Sequence, residues 1–70
     1  MHVIVNGTEQ EVPSGSNISQ LLDRLKVQSE RVAVEVNLKI VHRRQYSQVS
    51  LNDGDQIEII GFVGGGGSCR

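Results

Sequence analysis

The sequence is poor in the residues from which small proteins build reactive sites. Its 70 residues include no tryptophan and only one cysteine. A single cysteine cannot form an internal disulfide, so we expect a reducing, cytoplasmic setting. His2 and His42 have no cysteine or second histidine at metal-ligand spacing, and no serine lies in a nucleophile-elbow pattern. We therefore expect no metal site, no catalytic residue and no enzymatic activity.

Charge and hydropathy exclude two further classes of partner. The chain has seven Lys and Arg residues and eight Asp and Glu residues, so its net charge is −1. It therefore has no excess of positive charge for binding nucleic acid. Only Tyr46 and Phe62 could stack on bases. No apolar run approaches the length of a membrane span, and residues 1–6 lack the layout of a signal peptide. The length allows one small domain with one modest core.

The first dozen residues predict a β-hairpin. A β-branched run from residue 2 reaches Asn6–Gly7, the dipeptide typical of a two-residue hairpin turn, and the returning strand ends before Pro13. Strand alternation places Val3 and Val5 on the core face and Ile4 on the opposite face.

An amphipathic helix follows, predicted from residue 18 to about residue 27. Asn17 and Gln20 have the spacing of a capping box, in which each side chain bonds the other residue's backbone N–H. The apolar positions have i, i+3, i+4, i+7 spacing and are best explained as core packing; they are Ile18, Leu21, Leu22 and Leu25.

The rest of the chain predicts further strands. Residues 31–37 and 40–42 have strand character, residues 52–55 form an Asx-type turn, and a last strand covers residues 56–60 before Gly61 interrupts it. The inward positions are expected to be Val32, Val34, Val36, Ile57 and Ile59. The order hairpin, helix, strands indicates an α+β fold in which the first and last strands are parallel neighbours at the centre of a mixed sheet.

Four consecutive glycines, Gly64 to Gly67, follow the last strand and precede Ser68, Cys69 and Arg70. Glycine has the highest backbone entropy of any residue, so this run does not stabilise a fold. It fits a dispensable tail, an expression scar, or a thin flexible arm whose end group another protein uses. We favour the arm.

Taken together, these residues resemble the sulfur-carrier family of thiamine biosynthesis (ThiS), relatives of the molybdopterin sulfur carrier and of ubiquitin-like modifiers. The resemblance covers residues 1–66. It rests on a Val-Asn-Gly hairpin, an Ile-x-x-Leu-Leu helix, Val-Glu-Val-Asn before Ile-Val-His-Arg, an aromatic residue, Asp-Gly-Asp-Gln-Ile-Glu-Ile-Ile and a terminal Val-Gly-Gly-Gly. It implies a β-grasp, ubiquitin-like domain over residues 1–63, with four to five strands on one helix, and a flexible tail over residues 64–70.

The resemblance also implies a function. An E1-like adenylyltransferase uses ATP to adenylate the carrier's C-terminal glycine, and a sulfur donor such as a cysteine desulfurase converts it to a thiocarboxylate. That sulfur passes to thiazole synthase. The acyl end maps to Gly65 and Gly66, with Gly67 as the alternative terminus, and the carrier itself binds no cofactor.

A physical reason for the glycines stands beside the resemblance. An acyl-adenylate hydrolyses unless its site excludes water, so the acyl end must enter a narrow, closed channel. Residues without Cβ make the thinnest chain and adopt whatever φ and ψ the channel requires.

The sequence departs from the family after Gly66. Relatives usually end at the diglycine, whereas here the terminal carboxylate, as written, belongs to Arg70. Either a metalloprotease removes Gly67 to Arg70 from a precursor, which we favour, or these residues were added for expression. Cys69 is a sulfur-accepting thiol or, as we prefer, an exposed residue lost on processing. His42 replaces a proline common in relatives and joins Arg43 and Arg44 in a basic surface patch.

The sheet face away from the helix is a candidate docking surface. We expect Ile4, Ile60 and Phe62 to lie on it, and a contiguous exposed apolar patch on a small domain indicates a partner. In the alternative, two of these side chains complete the core.

Two other functions remain open from the sequence. The chain could carry sulfur for another pathway, such as molybdopterin, cysteine or siderophore-type synthesis. It could also be a ubiquitin-like module that binds or tags proteins through its glycine end.

Overall fold

Five strands and one helix make up residues 1–61, the part of the chain that the computed structural model describes. The strands are β1 (His2–Val5), β2 (Thr8–Glu11), β3 (Val32–Val36), β4 (Lys39–Val41) and β5 (Gln56–Gly61). The helix α1 spans Ile18–Arg24, and short 3-10 helices lie at Ser29–Arg31 and Arg43–Gln45. The expectations for residues 62–70, including the domain boundary after residue 63, lie outside the described residues.

The strands form a single mixed sheet in the order β2-β1-β5-β3-β4. β1 and β5 pair in parallel at its centre, with Val5 beside Ile57, and the other neighbours are antiparallel. The predicted parallel pairing of the first and last strands and the β-grasp arrangement are confirmed.

Both hairpins turn through two residues in the left-handed region. Asn6 (φ 49°) and Gly7 (φ 84°) connect β1 to β2, as the Asn-Gly dipeptide predicts. Asn37 (φ 52°) and Leu38 (φ 71°) connect β3 to β4 in the same way. A leucine in this region is unusual because its Cβ crowds the backbone.

The helix begins as predicted and ends earlier. Asn17 caps it, with Gln20 N–H donating to Asn17 Oδ1 at 2.8 Å and Asn17 N–H donating to Gln20 Oε1 at 2.9 Å. The expected end near residue 27 is wrong, because Lys26 takes φ 60° and the chain turns there. The N–H groups of Lys26 and Val27 then donate to the carbonyls of Asp23 and Leu22, the two bonds of a Schellman motif.

The core lies between α1 and one face of the sheet. Its buried side chains come from β1, α1, β3, β5 and the connecting segments; they are Val3, Val5, Val12, Ile18, Leu21, Leu22, Val32, Val34, Tyr46, Leu51 and Ile57. Ile59 and Val36 pack against this core in part, so the predicted inward faces of β3 and β5 are confirmed. Gly61 does not interrupt β5, since it pairs with Val32 of β3.

Candidate functional site

The end of β5 is the point from which the glycine-rich sequence continues, and we call Ile59 to Gly61 the arm root. β1 ends at Val5, so it provides no strand beside this part of β5. The Asn6 side chain takes that place. Its Oδ1 accepts a hydrogen bond from Ile59 N–H at 2.8 Å, and its Nδ2 donates to Ile59 O at 3.2 Å. One side chain thus satisfies both backbone groups of the first residue of the arm root.

On its other side the arm root pairs with β3. Gly61 is the Cα partner of Val32, and the Val32 carbonyl accepts a hydrogen bond from the hydroxyl of Tyr46 at 3.4 Å. Tyr46 is buried, so it is not available to stack on a base. Burial raises the pKa of the Tyr46 hydroxyl above its ordinary value, and the positive charge of Arg43 opposes this only in part.

Two arginines lie near the arm root. Arg31 immediately precedes Val32, and its Nε donates to Gln28 Oε1 at 2.9 Å. An Arg43 guanidinium nitrogen donates to the carbonyl of Glu30 at 3.3 Å. His42 and Arg44 are exposed as predicted, and the structure places Arg43 beside the 3-10 helix that precedes β3.

The sheet face away from α1, which we call the open face, carries two of the three predicted docking residues, Ile4 and Ile60. Strand alternation from the buried Val3, Val34 and Ile57 assigns its side chains; they are His2, Ile4, Glu9, Glu11, Ala33, Glu35, Ile40, Gln56, Glu58 and Ile60. Ile4 is half-buried and Ile60 is 48% exposed, so neither belongs to the buried core.

The register separates Ile4 from Ile60. Ile4 lies beside Gln56, four residues before Ile60 on β5, which corresponds to roughly 13 Å along the strand. Glu58 lies between them. The expected contiguous apolar patch is therefore wrong for this pair of residues, although both lie on the face that was predicted.

Sequence reasoning missed two exposed apolar side chains near the other end of the sheet. Leu38, in the β3–β4 turn, is 87% exposed, and Ile40 on the edge strand β4 is 71% exposed. Their strand-like spacing resembles that of core residues, and only the position of β4 at the edge of the sheet shows that nothing in the described chain covers them.

Glutamates occupy the middle of the open face. Glu35 of β3 and Glu58 of β5 are directly opposite each other in the register. Within residues 1–61 the one contact of ion-pair length joins His2 Nε2 to Glu11 Oε1 at 3.6 Å, and neither Glu35 nor Glu58 takes part in it. No lysine or arginine lies on the described open face.

The opposite end of β5 is held by a polar network. Asn37 Oδ1 accepts from Gln56 N–H at 3.0 Å, and Asn37 Nδ2 donates to Asp55 Oδ1 at 3.0 Å. The other carboxylate oxygen of the buried Asp55 accepts from Asn52 N–H at 2.8 Å. This network completes the turn that was predicted over residues 52–55.

The remaining predicted site residues lie outside the described part of the chain; they are Phe62, Gly65, Gly66 and Gly67. Across residues 1–61 no three His, Cys, Asp or Glu side chains are grouped so as to hold a metal ion. No helix in that same range is long and apolar enough to cross a membrane.

Comparison with known proteins shows a family relationship over nearly the whole chain. The model of the ThiS family matches residues 3–66. The sulfur carrier protein ThiS of Escherichia coli is 30% identical over 66 residues, which cover 94% of this chain and all of that protein. The crystal structure of a thiamine biosynthesis protein (ThiS) from Geobacter metallireducens superposes with a TM-score of 0.82 at 38% identity, covering 94% of this chain and all of that one.

A second group of relatives is much longer. A thiazole synthase of Paramagnetospirillum magneticum is 46% identical over 66 residues, 94% of this chain. The chain spans about a fifth (20%) of the length of that protein and of a second matching thiazole synthase.

Proposed function

Because the chain belongs to the ThiS family, we propose that it carries sulfur for the synthesis of the thiazole ring of thiamine. The observation that carries this proposal is the family match over residues 3–66, which includes Gly65 and Gly66. The chain is a co-substrate in this role, and the catalytic groups and the ATP site belong to its partners.

The proposed chemistry acts on the carboxylate of the last glycine. A carboxylate is a poor electrophile, so an E1-like enzyme first joins it to AMP, with release of pyrophosphate from ATP. The terminal sulfur of a persulfide then attacks the acyl carbon and displaces AMP. A thiol then attacks the donor's sulfur in the resulting S–S bond and forms a disulfide with it. The acyl-side sulfur leaves as the thiocarboxylate, which is free to react with thiazole synthase.

The geometry of the arm root supports this use of the chain end. Asn6 holds β5 at Ile59 on one side, and β3 pairs with β5 as far as Gly61 on the other. Gly66 lies five positions after Gly61, and an extended chain of five residue steps spans at most about 18 Å. A partner that takes Gly66 into a closed site must therefore bring its surface up to the arm root and the open face.

We further propose that Gly67 to Arg70 are removed before the chemistry, by a protease such as a metalloprotease. The family match ends at Gly66, which supports that residue as the mature end. Gly67 is the alternative. In this scheme Cys69 leaves with the removed segment.

The proposed partners are the adenylating enzyme, a cysteine desulfurase or other sulfur donor, and thiazole synthase. The match to two thiazole synthases supports the last of these, since their chains include a region similar to this one. Ile4 and Ile60, with Phe62, are proposed to contact the partners through the open face.

Intact mass spectrometry tests the proposal. The chain ending at Gly66 is incubated with the E1-like enzyme of the same genome, ATP and a persulfide source. The expected product has one oxygen replaced by sulfur at Gly66. The 70-residue chain, with Arg70 at its end, is the control and should remain unchanged. An amide adduct to a lysine in cell extract, with no thiocarboxylate, would instead identify a protein tag.

A further inference from the structure

The central pair of glutamates on the open face is unfavourable for the isolated domain. Glu35 and Glu58 are directly opposite each other on neighbouring antiparallel strands, which places their Cβ atoms about 4.5 to 5.5 Å apart. Like charges in that position destabilise a sheet. Glu58 is exposed and Glu35 is half-buried, and no lysine or arginine from residues 1–61 shares their face.

Exposed apolar side chains flank the pair. Ile60 lies next to Glu58 on the same face, and Ile40 lies opposite Glu35 on β4. Both isoleucines are exposed, by 48% and 71%. The charges therefore lie between apolar side chains, where a docked surface would exclude water and strengthen any ion pair.

The glutamate pair lies close to the arm root. Glu58 precedes Gly61 by three residues, or roughly 10 Å along β5. A partner that receives Gly66 through an arm of at most about 18 Å also reaches this part of the face.

We propose that Glu35 and Glu58 together receive an arginine or lysine of the adenylating enzyme. This inference rests on the proposed function. The free domain keeps the repulsion between the two carboxylates, and docking relieves it because the partner's cation lies between them. Charge complementarity requires a basic group on the partner, surrounded by apolar side chains. A guanidinium suits two neighbouring carboxylates because it can donate hydrogen bonds to both.

The proposal predicts opposite effects on stability and on binding. Glu35→Gln and Glu58→Gln should each raise the melting temperature of the free domain by about 2 to 4 °C, because either change removes the repulsion. The double variant should gain no more than one of the single variants. Each single variant should weaken binding to the adenylating enzyme, measured without ATP, by about tenfold at low salt, with a smaller loss at high salt.

Glu9→Gln is the matched control. Glu9 lies on the same face and loses the same charge, but its cross-strand neighbour is Ile4 rather than a carboxylate. It should leave the melting temperature within about 1 °C and the dissociation constant within about twofold, because no carboxylate lies opposite Glu9 on the neighbouring strand.

Three outcomes would overturn the proposal: a lowered melting temperature in both single variants, unchanged binding in both, or an equal loss of binding with Glu9→Gln. Adenylation of the unsubstituted chain ending at Gly66 separates this from the proposed function. If the adenylate forms while the glutamine variants bind normally, only the role of the glutamates is wrong. If no adenylate forms, the proposed function is wrong and the partner assigned here is wrong with it.

Discussion

The two hairpin turns of this domain use the same device at opposite ends of β5. In each turn an asparagine adopts a positive φ, 49° at Asn6 and 52° at Asn37, and its side chain bonds the backbone of β5. Asn6 holds Ile59 at the arm root, and Asn37 holds Gln56 at the start of the strand. The central strand is therefore fixed at both ends by side chains from its two neighbouring hairpins.

The turns differ in what accompanies the asparagine. Asn37 also donates to the buried carboxylate of Asp55, whereas the contacts of Asn6 are to exposed backbone groups. The second turn residue is Gly7 in one case and the exposed Leu38 in the other. The comparison teaches that the end of β5 away from the arm combines the stronger network with the more strained turn.

The largest expected effect is at Asn37. Asn37→Gly keeps the turn conformation but removes a hydrogen bond to the Asp55 carboxylate and another to Gln56, so we expect a loss of about 2 to 4 kcal/mol of unfolding free energy. Urea denaturation measures it. A loss below that of the equivalent change at Asn6 would contradict the ranking of the two ends.

Asn6→Gly should cost less, about 1 to 2 kcal/mol, because its two bonds are to neutral, exposed groups. Its effect should also be local. Amide hydrogen exchange of Ile59 should accelerate more than that of Gln56, and the reverse should hold in the Asn37 variant. Equal acceleration at both amides in either variant would mean that the two side chains do not act separately on the two ends.

Exchanging the second turn residues tests the strain. Leu38→Gly should stabilise the domain by about 0.5 to 1 kcal/mol, since it relieves a left-handed leucine at some cost in unfolded-state entropy. Gly7→Leu should destabilise it by about 1 to 2 kcal/mol for the same reason. Thermal melts of both variants provide the measurement. If Leu38→Gly destabilises, the exposed leucine makes a favourable contact that outweighs its backbone cost.

Alkaline pH should destabilise the domain through Tyr46. The pKa of Tyr46 is raised in the folded state, so the folded domain retains the proton and stability is full below the unfolded pKa of about 10. As pH rises from there toward the folded pKa, stability falls by up to about 1.4 kcal/mol per pH unit. Tyr46→Phe should remove this pH dependence.

The measurement is direct because the chain has one tyrosine and no tryptophan. Ultraviolet titration of the phenol therefore reports Tyr46 without interference. A midpoint at the ordinary value in the folded protein would contradict the raised pKa. At neutral pH we expect Tyr46→Phe to cost about 0.5 to 1 kcal/mol, the contribution of one neutral hydrogen bond.

Local sequence signals were sufficient for most of the fold. The Asn6–Gly7 turn, the Asn17 cap and the alternating valines of β3 each depend on interactions within a few residues, so their patterns predict the structure correctly. The helix end was predicted too late because Lys26 gives no sign that it will adopt the left-handed conformation that usually favours glycine.

The candidate site was less predictable because it depends on register between distant strands. Asn6 was identified only as a turn residue, and its contact with Ile59 follows from the parallel pairing of β1 and β5. The opposition of Glu35 and Glu58 and the separation of Ile4 from Ile60 likewise follow from that register. The docking role of Ile4 and Ile60, and the assignments of Gly65 and Gly66, stay predictions.

The parallel pairing of β1 and β5 also determines when the nascent chain can fold. Asn6 and Ile59 are 53 positions apart, so at 5 to 20 residues per second β1 waits roughly 3 to 10 s for its central partner to be synthesised. During that time Val3 and Val5 lack their final neighbours. The chain must also lose the entropy of closing a long loop before the contacts between β1 and β5 can form. Folding and completion of the arm root are consequently one late event, and a ribosome-bound precursor without β5 offers a partner no finished surface to bind.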